Sequence, residues 1–386
     1  MERGPQTSKS LLHFSFSGKT LGDYPEYVSS LFDVKEAAAL TNGMEGQISP
    51  TECEKLVGVI RALRAELVDL SSVDARDVYP VDVLGGGGSI GIHMNISELI
   101  SIRSGLPLST INRSQSTADV CHTASRVSII KKWPELEKIS FRIVDTLEEQ
   151  SGNFQTIKTL ARTCLQDATS VSFGESWSAY PAAIRRRLQS LQNRIEELHR
   201  VNLGGTVIGS GEGATASYQN KVVSQLSQVT QTPVSLRANL YDAAQNSDDL
   251  GIFSAELCQF ALTLMKFARD LRLLSSGPQG GMGEIRLPQL QEGSSFFSNK
   301  INPVIPETLL QCCFQVIGAD RAVQAALEHS ELNLNVFEGS ILVNILDSLK
   351  MLTQCLNLFH KYCLSDLQVM AERCEELSHF RNSVKG

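Results

Sequence analysis

The stretch Gly293-Ser294-Ser295-Phe296-Phe297-Ser298-Asn299-Lys300-Ile301-Asn302-Pro303 carries most of the information in the chain. Its glycine and serines make a mobile loop. Lys300 and Asn302 can hold an anion, one by charge and one by its amide. Glu307 follows just after Pro306, where an acid suits the first turn of a helix. Phe296 and Phe297 suit a lid that packs when it closes. Composition alone also allows an ordinary flexible surface loop.

Outward from this loop the chain reads as long helices. After Pro306, Leu309, Cys313, Val316 and Ile317 fall on one stripe, and Ile341, Ile345, Leu349, Leu352, Leu356 and Phe359 form another. Upstream, Ile184, Leu188, Leu191, Ile195, Leu198 and Val201 follow Pro181, and Ile252, Leu257, Phe260, Leu264, Phe267, Leu271 and Leu274 repeat the spacing. Apolar residues three or four apart line one helix face. Ser49-Pro50-Thr51-Glu52 reads as a capping box with Pro at the first helical position. It opens a stripe of Cys53, Leu56, Val57, Ile60, Leu63 and Leu67. Helices of this length predict an all-α bundle. Gly-rich segments at 85–91, 204–213 and 275–300 punctuate it, and such loops commonly carry function.

The bulk numbers narrow the partners. The chain has 386 residues, with 35 Lys plus Arg against 42 Asp plus Glu, for a net charge of −7. A mildly acidic chain argues against broad nucleic-acid binding. Nine cysteines without tight spacing do not form a disulfide framework. A reducing, cytoplasmic setting fits them best, and Cys312-Cys313 sits in an apolar run, so at least one is expected in the core. Met1 to Ser10 has no signal-peptide core. No run of about 18 uninterrupted apolar residues is present, so no membrane span is expected.

Three shorter motifs leave alternatives open. Gly86, Gly88 and Gly91 satisfy G-x-G-x-x-G, yet the following residues look helical rather than alternating strand and helix, so a permissive connection is favoured over a dinucleotide site. Asn112-Arg113-Ser114-Gln115-Ser116-Thr117-Ala118-Asp119 is a polar patch before a helix, suited either to capping or to ligand contact. Arg162-Thr163-Cys164-Leu165-Gln166-Asp167 reads as part of a helical region, with Arg162 and Asp167 in structural contacts.

Taken together, these segments resemble the fumarase/aspartase superfamily. Gly293–Pro303 looks like its signature G-S-S-x-M-P-x-K-x-N-P. Lys158–Ser172 resembles K-T-G-R-T-H-L-Q-D-A-T-P, Ser114–Asp119 resembles S-Q-S-S-N-D, and Asn202–Gly211 resembles N-L-G-G-T-A-V-G-T-G. Met94-Asn95-Ile96-Ser97-Glu98 resembles M-N-V-N-E. Phe16-Ser17-Gly18 and Val34 to Asn42 are similar to the family's lead-in and first helix. The motifs come in family order over nearly the whole chain. The run from Gln311 to Asn335, with Val336 and Glu338, is closer to aspartate ammonia-lyases than to argininosuccinate or adenylosuccinate lyases, with class II fumarase the near neighbour.

The resemblance implies β-elimination without a cofactor or metal. A base removes the proton beside a carboxylate, an aci-carboxylate forms, and the leaving group departs to give a fumarate-like product. By position, Ser294 matches the catalytic base. Lys300, Asn302 and Thr163 match carboxylate contacts, Ser116 and Thr117 match hydroxyls on the other carboxylate, and Ser295 matches a further donor. Glu307 matches the acid that pairs with an active-site histidine. The resemblance also implies a homotetramer with a core of long central helices and active sites shared between subunits.

Several positions depart from the family pattern. The histidine is Cys164, the asparagine that contacts the leaving group is Ala118, the glycine-loop threonine is Ile90 and the asparagine after it is His93. Met-Pro of the mobile loop is Phe297-Ser298. The link from Ile100 to Asn112 is shorter than usual, and the small C-terminal domain is largely missing after Cys374. The retained residues hold carboxylates and take a proton, whereas Ile90, Ala118 and Cys164 alter the leaving-group side. The expected substrate is therefore a substituted succinate or aspartate-like dicarboxylate. Aspartate itself, releasing fumarate and ammonia, is the first alternative, and a non-catalytic scaffold or regulator is the second. The expected organisation is an N-terminal helical domain at 1–115, a long-helix domain at 116–372 and a C-terminal remnant at 373–386.

Overall fold

The computed structural model describes residues 2–379, so residues 380–386 of the expected C-terminal remnant lie outside the described residues. The principal helices are α1 (Pro5–Phe14), α2 (Pro25–Met44), α3 (Pro50–Asp69), α4 (Ile90–Ser104), α5 (Thr117–Asn153), α6 (Ala179–Leu198), α7 (Ala216–Thr230), α8 (Asp248–Leu274), α9 (Val304–Glu328) and α10 (Glu338–Phe359). The strands are short: β1 (Lys158–Thr163), β2 (Gln166–Ser172), β3 (Arg200–Val201), β4 (Ser235–Leu236), β5 (Ile285–Arg286) and β6 (Gln368–Val369). Among the described residues they pair as β1 with β2, β3 with β4 and β5 with β6. The expected all-α class holds.

The chain forms two compact units, each made of three segments. The first contains Met1–Trp133, Asn193–Ser254 and Ala319–Asp347. Its α3 begins as the sequence reads: Ser49 Oγ accepts from Glu52 N–H at 3.3 Å and Glu52 Oε2 accepts from Ser49 N–H at 2.9 Å. Leu56, Val57, Ile60, Leu63 and Leu67 of α3 are buried, and α3 packs against α2. Each such side chain stabilises by about 1.5–3 kcal/mol when removed from water. Helix α2 is buried on nearly every side from Tyr27 to Asn42, with α7 also against it. The family-like Glu98 of α4 accepts from Gln6 N–H and Thr7 N–H at 2.8 Å each, satisfying free donors at the start of α1.

The second unit contains Pro134–Gln192, Ala255–Gly318 and Ser348–Gly386. Its core is aromatic: the Trp177 ring meets Phe154, Phe173, Tyr180 and Phe267, and Phe267 meets Phe359 edge-on. Edge-to-face pairs add to the burial term. Helix α8, which belongs partly to each unit, is long and apolar enough to cross a membrane by length and composition alone. Its Phe253, Leu257, Phe260, Leu264, Phe267 and Leu271 are buried inside the chain, as in a core helix. Cys312 and Cys313 are both buried.

One local expectation is corrected. The Lys158–Asp167 region is an antiparallel hairpin, not helix, with Thr163 opposite Gln166. Cys164 and Leu165 form its two-residue turn, both in the left-handed region at φ 54° and 61°. Two positive φ values match the right-handed twist of a tight hairpin. The usual Asn-Gly signal is absent here, and Thr159, Thr163, Thr169 and Val171 supply the strand preference instead.

Candidate functional site

The residues singled out by sequence divide between the two units. In the first unit, Ser89, in the left-handed region at φ 66°, leads into α4, and among the described residues no strand precedes the glycines, so the dinucleotide alternative lacks its βαβ frame. Ile90 stands at the start of α4 and is exposed, whereas His93, about one turn further, is buried. His93 Nδ1 lies 2.8 Å from Thr117 Oγ1. On its other side, His93 Nε2 is 2.7 Å from Lys35 Nζ of α2. Lys35 also donates to Asn112 Oδ1 at 2.5 Å, and Ser97 Oγ donates to the same oxygen at 2.9 Å.

The start of α5 is held by its own motif. Ser116 Oγ accepts from Ala118 N–H at 3.3 Å, an N-cap contact. Asp119 accepts from Ser116 N–H at 2.8 Å. Its other oxygen accepts from Gly204 N–H at 3.0 Å and Thr206 N–H at 3.1 Å. One buried carboxylate thus joins the Ser114–Asp119 motif to the Asn202–Gly211 glycine loop. Burial raises Asp119 to about 6 despite these backbone donors. Capping and presentation of Thr117 are therefore both served here: Ser116 caps, and the Thr117 hydroxyl meets His93. Ala118 is buried beside them.

In the second unit, the Ser294 loop is closed at its base. Gly293 N–H donates to Lys300 O at 2.9 Å, and Asn302 Nδ2 donates to Gly293 O at 2.8 Å. Within the loop, Ser294 Oγ accepts from Phe296 N–H and Phe297 N–H, both at 3.0 Å. Two amides aimed at one hydroxyl oxygen favour its oxyanion form. Ser295 and Lys300 are exposed, as are the rings of Phe296 and Phe297. Glu307, near the start of α9, pairs with Arg272 at 3.3 Å. Thr163 and Cys164 are exposed at the hairpin end, and no described contact joins Cys164 to Glu307.

A cavity of about 290 Å³ lies beside the hairpin, lined in part by Arg162, Leu165, Trp177, Tyr180 and Asp270. Its charges already have partners: Arg162 binds Glu284 at 2.5 Å and Tyr180 donates to Asp270 at 2.8 Å. It contains none of the carboxylate-binding candidates, and its size alone gives it no chemistry. Among the described residues, no group of three or more His, Cys, Asp or Glu is placed to hold a metal ion.

Sequence reading missed Lys35, Asn112, Ser97 and Asp119 as parts of this arrangement. Their contacts join residues far apart in sequence, and Lys35 carries little local signal beyond a charge beside Ala37-Ala38-Ala39.

Comparison with known proteins places this geometry. A family model described as Lyase matches residues 3–318. An aspartate ammonia-lyase of Pseudomonas aeruginosa is 33% identical over 388 residues, covering 97% of this chain and 80% of that protein. A crystal structure of a fumarate lyase:delta crystallin from Brucella melitensis, bound to cobalt, superposes with a TM-score of 0.92 at 34% identity, over 97% of this chain and 83% of that one. A class II fumarase from Schistosoma mansoni gives a TM-score of 0.92 at 26% identity, with 97% and 83% covered. The chain belongs to the aspartase/fumarase family of lyases.

Proposed function

We propose that the protein catalyses cofactor-independent β-elimination, or the reverse addition, on a substituted succinate or aspartate-like dicarboxylate. The observation that carries this reading is the Ser294 loop. Ser294 Oγ already receives two backbone donors at 3.0 Å, and Lys300 and Asn302 stand on the same short segment. Ser294 is the base that removes the proton beside a carboxylate. Its amides stabilise the oxyanion that does so, and a closed loop removes competing water. Lys300, Asn302, Thr163 and Ser295 bind the carboxylate on which charge builds, where fixed donors lower the barrier most. Ser116 and Thr117 hold the second carboxylate. The family fold supports a homotetramer whose subunits share these groups.

Ile90, Ala118 and Cys164 shape the leaving-group side. A buried amine without its usual hydrogen-bond partner loses about 1–3 kcal/mol, so aspartate is a poor substrate and a larger or less polar leaving group is preferred. The aspartate alternative keeps one specific support, the 33% identity to a named aspartate ammonia-lyase.

The test is ultraviolet absorbance of a fumarate-like product from aspartate and from a panel of N- and O-substituted succinates. Turnover of a substituted succinate above that of aspartate, lost in Ser294→Ala by about 10²–10⁴-fold, is the expected result. Rapid aspartate turnover would favour the alternative. Equal turnover without Ser294 would remove it as the base, and no turnover of any member would favour a scaffold.

A further inference from the structure

Lys35 is buried within α2, and among the described residues no carboxylate is in direct contact with it. Its two hydrogen-bond partners, His93 Nε2 at 2.7 Å and Asn112 Oδ1 at 2.5 Å, are neutral side-chain atoms. A buried ammonium with neutral partners is expensive to maintain, which asks for a use. His93 joins it to Thr117, and no other described hydrogen bond uses Thr117 Oγ1.

The chemistry of the three groups fixes a direction. An ammonium has donors only, so His93 Nε2 must accept from it. The imidazole proton then sits on Nδ1 and donates to Thr117 Oγ1. With that oxygen already accepting, the hydroxyl proton of Thr117 is left to donate outward. We propose that Lys35 and His93 are positioning residues that hold Thr117 as a hydrogen-bond donor to an anionic ligand, and that loss of the Lys35 proton reverses the chain. A neutral amine can accept from His93 Nε2–H. The Nδ1 then becomes an acceptor, and Thr117 turns its only proton inward. The inference rests on the reading that Thr117 binds a substrate carboxylate.

The surroundings set where this reversal falls. Burial brings Lys35 down to about 7, against the pull of Asp119 on α5; Cys121, beside it on α5, is pushed up to about 12 by burial and stays a neutral thiol. Burial, and then the Lys35 charge, hold His93 well below its usual value, so the ring stays neutral. Helices α3 and α7 also pack on α2, but their charged groups are engaged elsewhere. Arg61 and Arg64 bind Glu36 and Asp33, and Lys221 binds Glu45. From the turn before α2, Asp23 binds Arg76. His93 and Asn112 are thus the polar neighbours in direct contact with the ammonium.

The test is calorimetric titration of the full-length protein with succinate, an unreactive dicarboxylate, at pH 6, 7 and 8. For one proton required with a pKa near 7, affinity weakens about tenfold from pH 6 to pH 8. Lys35→Met should remove this slope. His93→Asn, whose amide cannot change tautomer, should also flatten it, and decides the matter if Lys35→Met does not fold by circular dichroism. A flat wild-type profile, or the same slope in the folded variants, overturns the positioning role and leaves the dicarboxylate reading intact. Absence of succinate binding at every pH overturns that reading, and the inference with it.

Discussion

Arg126 and Asp249 are joined by two parallel hydrogen bonds, each 2.8 Å, inside the first unit. Such paired geometry is what lets a buried charge remain ionised. Burial would raise the Asp249 carboxyl, but Arg126 overcomes it and holds the group below its usual value. Removing one partner strands the other, so Arg126→Met should lose about 3–5 kcal/mol in urea unfolding, while a paired apolar replacement recovers much of it. The Asp249 contribution is present above the unfolded carboxylate pKa and lost as pH falls through the lower folded value. Wild-type stability in strong acid should therefore converge on that of Asp249→Asn.

Gly293 is required by crowding. A Cβ there would stand 2.2 Å from Lys300 O and 3.1 Å from Asn302 N. Gly293→Ala should push the base of the Ser294 loop apart. A misplacement of about 1 Å can reduce turnover about 10²-fold. The expected signature is lower kcat with an unchanged melting temperature, since the strain falls on a loop. Wild-type kcat in this variant would show that the closed base is dispensable.

Lys35 should leave a mark on stability as well as on binding. Its folded pKa, near 7, lies below the ordinary lysine value of 10.5. Its favourable contribution is therefore complete above the unfolded pKa and lost as pH falls through the folded one. Between pH 7 and 9 the wild type should gain ~2 kcal/mol relative to Lys35→Met. Chemical denaturation at the two pH values measures it, and parallel curves for the two proteins would contradict the buried titration.

Cys164 is the exposed thiol, while Cys121, Cys312, Cys313, Cys355, Cys363 and Cys374 are buried. A disulfide reagent should modify it first, because reaction needs access to the thiolate. Cys164→Ser should abolish the fast phase. Protection of that phase by succinate would place the hairpin turn at the bound ligand. Unchanged turnover in Cys164→Ser would restrict the thiol to filling space.

Much of the fold was legible because its signals are local. The Ser49–Glu52 cap and the stripe from Leu56 to Leu67 appear as read, since capping and amphipathicity are set within a few residues. The hairpin at Lys158–Ser172 was misread because a Cys-Leu turn carries no glycine or asparagine to announce two positive φ values. The polar patch at 112–119 was recognised, but not its division of labour. Ser116 as cap is local, but Asp119 as clamp on Gly204 and Thr206, and Thr117 as the end of the Lys35 chain, depend on groups 24 to 87 residues away. Residue type marks a candidate, whereas only the assembled chain shows which proton each one can give.

The first unit is drawn from three separated stretches of chain, the last ending at Asp347. During synthesis, its core is incomplete until that residue emerges. At typical translation rates this takes roughly 20 to 70 s. Until then α2, which the finished fold buries on almost every side, lacks its full set of neighbours. A nascent chain stalled before α10 should bind holdase chaperones and be cut readily by protease, and release of that protection problem should coincide with emergence of the Asp347 region.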